Sequence, residues 1–158
     1  MERREFLKLG ATAAGGMIIG LHLPQSRAAG VAKGPVQLNA WIRIDPDNRI
    51  TFVRHRNEMG QDVHTSLAML VAEELEVPVA SLAIEQAPVA AVYNNAMIGA
   101  QITGGSTSIR DAWLPLRRAG AAARTLLLQA AANTWQVDVA VLQASNGYVV
   151  NRNGNKLS

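Results

Sequence analysis

The stretch "NEMGQDVHTSLAMLVAEEL", residues 57–75, contains a change of period. Just before it, "RITFVRH" (49–55) is an apolar, β-branched run that reads as a strand. From Met59 onward the spacing is helical: Met59, Val63, Leu67, Leu70, Val71 and Leu75 fall on one face, and the helix is expected to end before Pro78. Gly60 stands at the joint, where its lack of a Cβ permits positive φ and close approach of a ligand. A strand that turns directly into a helix indicates layered α and β structure.

Working outward, "NAWIRI" (39–44) and "RITFVRH" flank Asp45-Pro46-Asp47-Asn48, which reads as a hairpin. Trp41 and Arg43 alternate with Ile42 and Ile44, so one face is expected to be buried. "SLAIEQA" (81–87) is a further strand, and residues 88–105 are rich in turn formers. A long Ala- and Leu-rich helix is expected from about Ser108 to Thr134. Ser108 and Asp111 resemble a capping box, and Pro115 suggests a kink or a late start. Asn146-Gly147 and Asn153-Gly154 are hairpin turns framing "YVVN". The expected fold class is α+β, with mixed α/β layers. The order is β-β-α-β-α-β-β, helices lie on a mixed sheet, and no internal repeat is evident.

The pI of 9.8 invites a nucleic-acid reading, which the distribution of charge removes. Residues 1–34 hold Arg3, Arg4, Lys8, Arg27 and Lys33 against Glu2 and Glu5, and the remainder balances ten basic with ten acidic residues. A nucleic-acid surface needs a concentrated basic face. The excess belongs to a leader instead. Arg3-Arg4-Glu5-Phe6-Leu7-Lys8 precedes a weakly apolar run from Ala11 to Leu23, then "SRAAG". The run is too short for a span of roughly 20 residues. Residues 1–30 therefore read as a twin-arginine signal peptide and 31–38 as a linker, implying export of a folded protein to the periplasm. The chain has no cysteine, so it supplies no thiolate for a metal or an iron–sulfur cluster.

Two loops carry candidate chemistry. In "RNEMGQDVH" (56–64) the amides of Gly60, Gln61 and Asp62 are expected to be free donors at a helix start, which suits a phosphate, although Glu58 and Asp62 would oppose an anion. An ordinary strand-to-helix turn is the plain alternative. "TGGSTSIRD" (103–111) offers the hydroxyls of Thr103, Ser106, Thr107 and Ser108 beside further amides, and lacks the lysine of a P-loop. Simple capping by Ser108 is its alternative. Together the loops suggest one extended phosphate-bearing ligand. His55, His64 and Glu58 fit no standard metal-ligand spacing. Arg117, Arg118 and Arg124 read as a solvated or salt-bridged face, and Trp113 and Trp135 as core anchors.

"EMGQDVHTSLAMLVAEEL" followed by "TGGSTSIRDAWLPLRRAGAAAR" resembles the molybdopterin-binding large subunit of the xanthine dehydrogenase/aldehyde oxidase family, in the exported branch typified by isoquinoline 1-oxidoreductase β subunits. The resemblance covers residues 39–158. It implies that Met59, Gly60 and Gln61, then Gly105, Ser106, Thr107 and Ser108, contact the pterin and its phosphate or dinucleotide tail. Asp62 stands where many relatives have glycine. The resemblance further implies molybdopterin cytosine dinucleotide as cofactor and hydroxylation of an aldehyde or N-heterocycle with oxygen from water. The implied partners are an iron–sulfur small subunit, an electron acceptor such as a cytochrome, and the remainder of the large subunit. The family's catalytic glutamate lies far toward the C-terminus and has no counterpart in this chain. The 158 residues are thus expected to be an N-terminal piece, inactive alone. The alternative is a non-catalytic exported binding or scaffold module of the same fold. Without partner surfaces, Trp41, Val92, Tyr93 and the long helix are expected to be exposed.

Overall fold

The computed structural model describes residues 36–37 and 39–158; the expected signal peptide and most of the expected linker lie outside the described residues. Val36–Gln37 form a short strand, β1, antiparallel to β2 (Ile42–Ile44). β2 and β3 (Ile50–Arg54) are the expected hairpin, in register Ile42 with Phe52 and Ile44 with Ile50. The turn closes because Asn48 adopts a left-handed φ of 73°, while the Asp47 carboxylate accepts from the Arg49 amide at 3.1 Å. The alternation holds: Ile42 and Ile44 are buried, Trp41 and Arg43 half-buried.

Helix α1 spans Val63–Leu75 and buries Val63, Leu67, Leu70, Val71 and Leu75. Met59, expected on the same face, lies in the loop before the helix and is exposed. α1 returns the chain to β4 (Leu82–Gln86), parallel to β3, completing a β-α-β unit. α2, Ser108–Trp135, runs continuously through Pro115, so the late start is not found. Its N-terminal half packs against α1. At Gly120 an added Cβ would lie 2.9 Å from both the Val71 carbonyl oxygen and the Glu74 Cβ. That close approach explains a glycine in a helix interior, where it costs about 1 kcal/mol relative to alanine. Arg117 pairs with Glu74, and Arg124 with Glu74 and Glu76 across the same seam.

The main core lies between the sheet and these two helices, around Phe52, Leu67, Val71 and Leu116. The expected element order is present, with β1 and β7 added, and the class is α+β. The strands divide into two sheets: a mixed one, β1-β2-β3-β4, and an antiparallel one of β5 (Leu142–Ser145), β6 (Tyr148–Asn151) and β7 (Lys156–Leu157). Length decides this. Twenty-eight residues of α2 extend about 42 Å. The second half of α2 therefore carries its own apolar face, Ala130, Ala131 and Ala132, which packs with Leu142 and Val149.

A repeat hidden in the sequence also emerges. α1 ends in left-handed Glu76, and Val77 N–H bonds to the Ala72 carbonyl; a single turn Val79–Ser81 then leads into β4. α2 ends in left-handed Gln136, and Val137 N–H bonds to the Ala132 carbonyl; a turn Val139–Val141 leads into β5. "EVPVASL" and "QVDVAVL" thus make the same helix-to-strand exit. The first exit is tied to the turn between β5 and β6, where the Gly147 amide donates to the Glu76 carbonyl at 2.8 Å.

Candidate functional site

The first loop does not leave its amides free. The Glu58 carboxylate turns back over the start of α1 and accepts from Gly60 N at 2.9 Å, Gln61 N at 3.0 Å, Asp62 N at 3.1 Å and His64 N at 2.9 Å. The expectation of unpaired donors there is overturned, because a carboxylate two to six residues from those amides is an anion already in place. The His64 amide chiefly holds the Glu58 carboxyl below its usual range; desolvation opposes it, and the amides of Gly60, Asp62 and Gln61 add to the lowering. Gln61 closes the loop on itself, accepting from Met59 N at 2.6 Å and donating to the Asn57 carbonyl at 3.0 Å. Gly60 at φ 92° and Asp62 at φ 57° make the reversal possible. Asp62 takes a conformation that glycine favours, the residue it replaces in the resemblance.

The second loop is built differently. Thr107 is buried, and its hydroxyl donates to the Gly104 carbonyl at 2.8 Å and accepts from Asn95 Nδ2 at 2.5 Å. It gives no side-chain cap to α2. The expected Ser108–Asp111 capping box is absent: Asp111 accepts instead from Ala96 N at 2.8 Å and from Arg56 Nη2 at 2.5 Å. Among the described residues, the amides of Gly105 and Ser106 and the hydroxyls of Ser106 and Ser108 carry no hydrogen bond. A Cβ built on Gly104 would meet nothing within 4 Å, so this face is open to close approach.

The structure brings the two loops together. Asn57 N donates to Thr103 Oγ1 at 2.8 Å. Behind them lies a frame that the sequence reading missed. Arg56 is fully buried, and its Nη1 donates to the carbonyls of His55 at 3.0 Å and Tyr93 at 2.9 Å. Asn95 is also fully buried and accepts from Met97 N at 2.9 Å. The available signal was weak: an arginine in the strand exit "FVRHRN", and an asparagine among turn formers in "NNAMIGA".

His55 lies on this frame, with ring centroids 6.0 Å from Trp41 and 6.2 Å from Tyr93. Burial, then the neighbouring Arg56 charge, push its pKa down to about 4, with Asp111 opposing. Its buried Nδ1 has no hydrogen-bond partner among the described residues. Tyr93 is buried and donates its hydroxyl proton to the Ala40 carbonyl at 2.7 Å, and Trp41 is half-buried; both were expected to be exposed. Val92 is exposed as expected, whereas α2 buries its alanine face. Trp113, expected as an anchor, is half-exposed beneath the Arg117 guanidinium, and Trp135 packs on the second core. Met59, in the first loop, and Met97, Ile98 and Ile102, in the segment leading to the second, are exposed.

These donors bear on the phosphate-bearing pterin that the resemblance implies. Residues 105–108 fit an anionic tail: free amides at Gly105 and Ser106, free hydroxyls at Ser106 and Ser108, and no carboxylate bonded to them. Residues 59–61 fit a neutral edge, through exposed Met59, the bare Gly60 and the Gln61 amide.

Comparison with known proteins agrees with that chemistry. The model of a molybdopterin cofactor-binding domain matches residues 4–158. The chain is 35% identical over 123 residues to the beta subunit of isoquinoline 1-oxidoreductase from Brevundimonas diminuta, covering 77% of this chain and 16% of that protein. It is 35% identical over 96 residues to a membrane-bound aldehyde dehydrogenase (pyrroloquinoline-quinone) of Gluconacetobacter polyoxogenes, covering 61% of this chain and 12% of that protein. It is 30% identical over 122 residues to a nicotinate dehydrogenase subunit of Pseudomonas putida, covering 77% and 10%. The chain thus spans less than a fifth of the length of each of these relatives.

Proposed function

Because the chain belongs to the molybdopterin cofactor-binding domain family, we propose that it forms one wall of the cofactor pocket in an exported molybdenum hydroxylase. The observation that carries this reading is the pairing of the two loops at Asn57 and Thr103, with unengaged donors on the second loop. In this reading Gly105, Ser106, Thr107 and Ser108 hold the phosphate or cytosine dinucleotide tail. Ser106 and Ser108 contribute hydroxyls; Thr107, with its own hydroxyl engaged, fixes the loop's shape. Met59, Gly60 and Gln61 lie against the pterin edge. The bound group would supply the two-electron oxidation of an aldehyde or N-heterocycle, with the inserted oxygen drawn from water. The names of the relatives, which cover isoquinoline, nicotinate and an aldehyde, support that substrate range.

The remainder of a longer large subunit supplies the catalytic residues. In the same reading the electrons pass to an iron–sulfur partner and then to an acceptor such as a cytochrome; none of these 158 residues is a cysteine that could ligate a cluster. The paired arginines and weakly apolar leader support twin-arginine export to the periplasm. One observation favours the alternative of a non-catalytic module: the Glu58 carboxylate already fills the amides of the first loop.

The test is the metal and nucleotide content of the full-length protein, purified with its partners from a cofactor-producing host. Molybdenum and cytosine nucleotide near one per chain, reduced in Gln61→Ala and further in Gly105→Val, are expected. A protein with neither, or one holding a quinone in their place, would overturn the reading.

A further inference from the structure

Three segments that are distant in sequence meet behind the two loops, and one buried ion pair joins them. Arg56 lies two residues past the strand that feeds the first loop, and the next residue, Asn57, reaches Thr103. Asp111 lies one turn into α2, and its amide donates to the Thr107 carbonyl at 2.8 Å. The connecting segment is held by the Tyr93 carbonyl on Arg56 and the Ala96 amide on Asp111. The side chains are 0% and 8% exposed.

A buried ion pair is poor evidence for stability, since apolar side chains of similar volume commonly hold a fold as well or better. What apolar side chains cannot supply is direction. The guanidinium offers fixed donors to acceptors on different segments, and a lysine nitrogen on a flexible stem cannot reproduce that fork. The Asp111 carboxylate divides its two oxygens between Arg56 and Ala96 in the same way. The Arg56 side chain has no exposed surface, and both Asp111 oxygens are already engaged by Arg56 and Ala96.

We infer that Arg56 and Asp111 are positioning residues for the cofactor: their ion pair sets the offset between the 57–62 and 103–108 loops, so that one ligand can bridge both. The inference rests on the cofactor-pocket reading and adds to it a pair of residues that never touch the ligand.

The test uses the full-length protein with its partners. Arg56→Lys and Asp111→Asn are compared with Leu67→Ala, a core variant, and the unfolding midpoint of each is measured. Molybdenum per chain and amide hydrogen exchange of both loops are measured. The expected result is about tenfold lower molybdenum retention during dialysis for the two pair variants, with exchange of both loops rising together, while Leu67→Ala keeps its metal. A double variant, Arg56→Met with Asp111→Leu, is expected to recover stability without recovering retention. If retention follows the unfolding midpoint in every variant, or returns with stability in the double variant, the positioning role is overturned. If wild-type protein binds no molybdenum, the cofactor reading falls instead. Exchange then decides the pair's role: unchanged exchange in either loop of Arg56→Lys overturns it.

Discussion

The loops at 57–62 and 103–108 look alike in sequence and differ in what they leave free. Both lead into a helix, and both reverse the chain through left-handed residues, Gly60 and Asp62 in one, Gly105 and Ser106 in the other. In the first, Glu58 takes the amides of the helix start. In the second, the corresponding carboxylate, Asp111, is drawn away by Arg56 and Ala96, and Thr107 is turned inward to Asn95. A helix N-terminus is therefore not in itself an anion site. The decisive feature is whether a side chain of the protein has already satisfied it.

That contrast can be broken most severely by making the second loop like the first. Ser106→Asp introduces a carboxylate at a left-handed position that aspartate tolerates. Cofactor retention in the full-length protein should fall about a hundredfold, measured as molybdenum and nucleotide per chain. Full retention would remove the distinction between the loops.

A second break acts on the frame both loops share. The folded-state pKa of His55 lies at about 4, below its unfolded value of 6.5. Its stabilising effect is complete above pH 6.5 and is lost as pH falls, because the unfolded chain then takes up the proton first. The loss should reach at most about 3 kcal/mol near pH 4. Denaturant unfolding across this window should show it, and His55→Phe should flatten the slope. An equal slope in both proteins would remove His55 as the cause.

Smaller again is Thr107→Val. It strands the buried Asn95 amide and should cost about 2 kcal/mol in denaturant unfolding, with a larger effect on the second loop's exchange than on the first's. The smallest effect belongs to Glu58→Gln, which keeps the shape and weakens the acceptor. Exchange at residues 60–64 should rise modestly. The wild-type protein should match it only at acid pH, since the lowered carboxyl pKa preserves the cap until below the usual value of 4.5. Wild-type protection that disappears well above that value would show that Glu58 is not the acceptor.

The elements were legible because burial imposes its period on the chain: Ile42 and Ile44 by twos, Leu67, Leu70, Val71 and Leu75 by threes and fours. Met59 matched that period by chance, being cut from α1 by Gly60 and the reversal at Asp62. The division into two sheets was not legible, because it depends on how far α2 outruns the first sheet. The two loops were found, since glycine and hydroxyl residues mark them locally. Their different chemistry was hidden: Glu58 folds back over a few residues, but Arg56 meets Asp111 across 55 positions, a pairing that only the tertiary arrangement creates.

The most direct test of that difference is amide hydrogen exchange on the full-length protein, with and without bound cofactor. Gly105 and Ser106 are expected to gain at least about tenfold protection on loading, while Gly60, Gln61 and Asp62, already held by Glu58, change little. Protection arising at residues 60–62 with none at 105–106 would contradict the assignment of the anionic tail to the second loop.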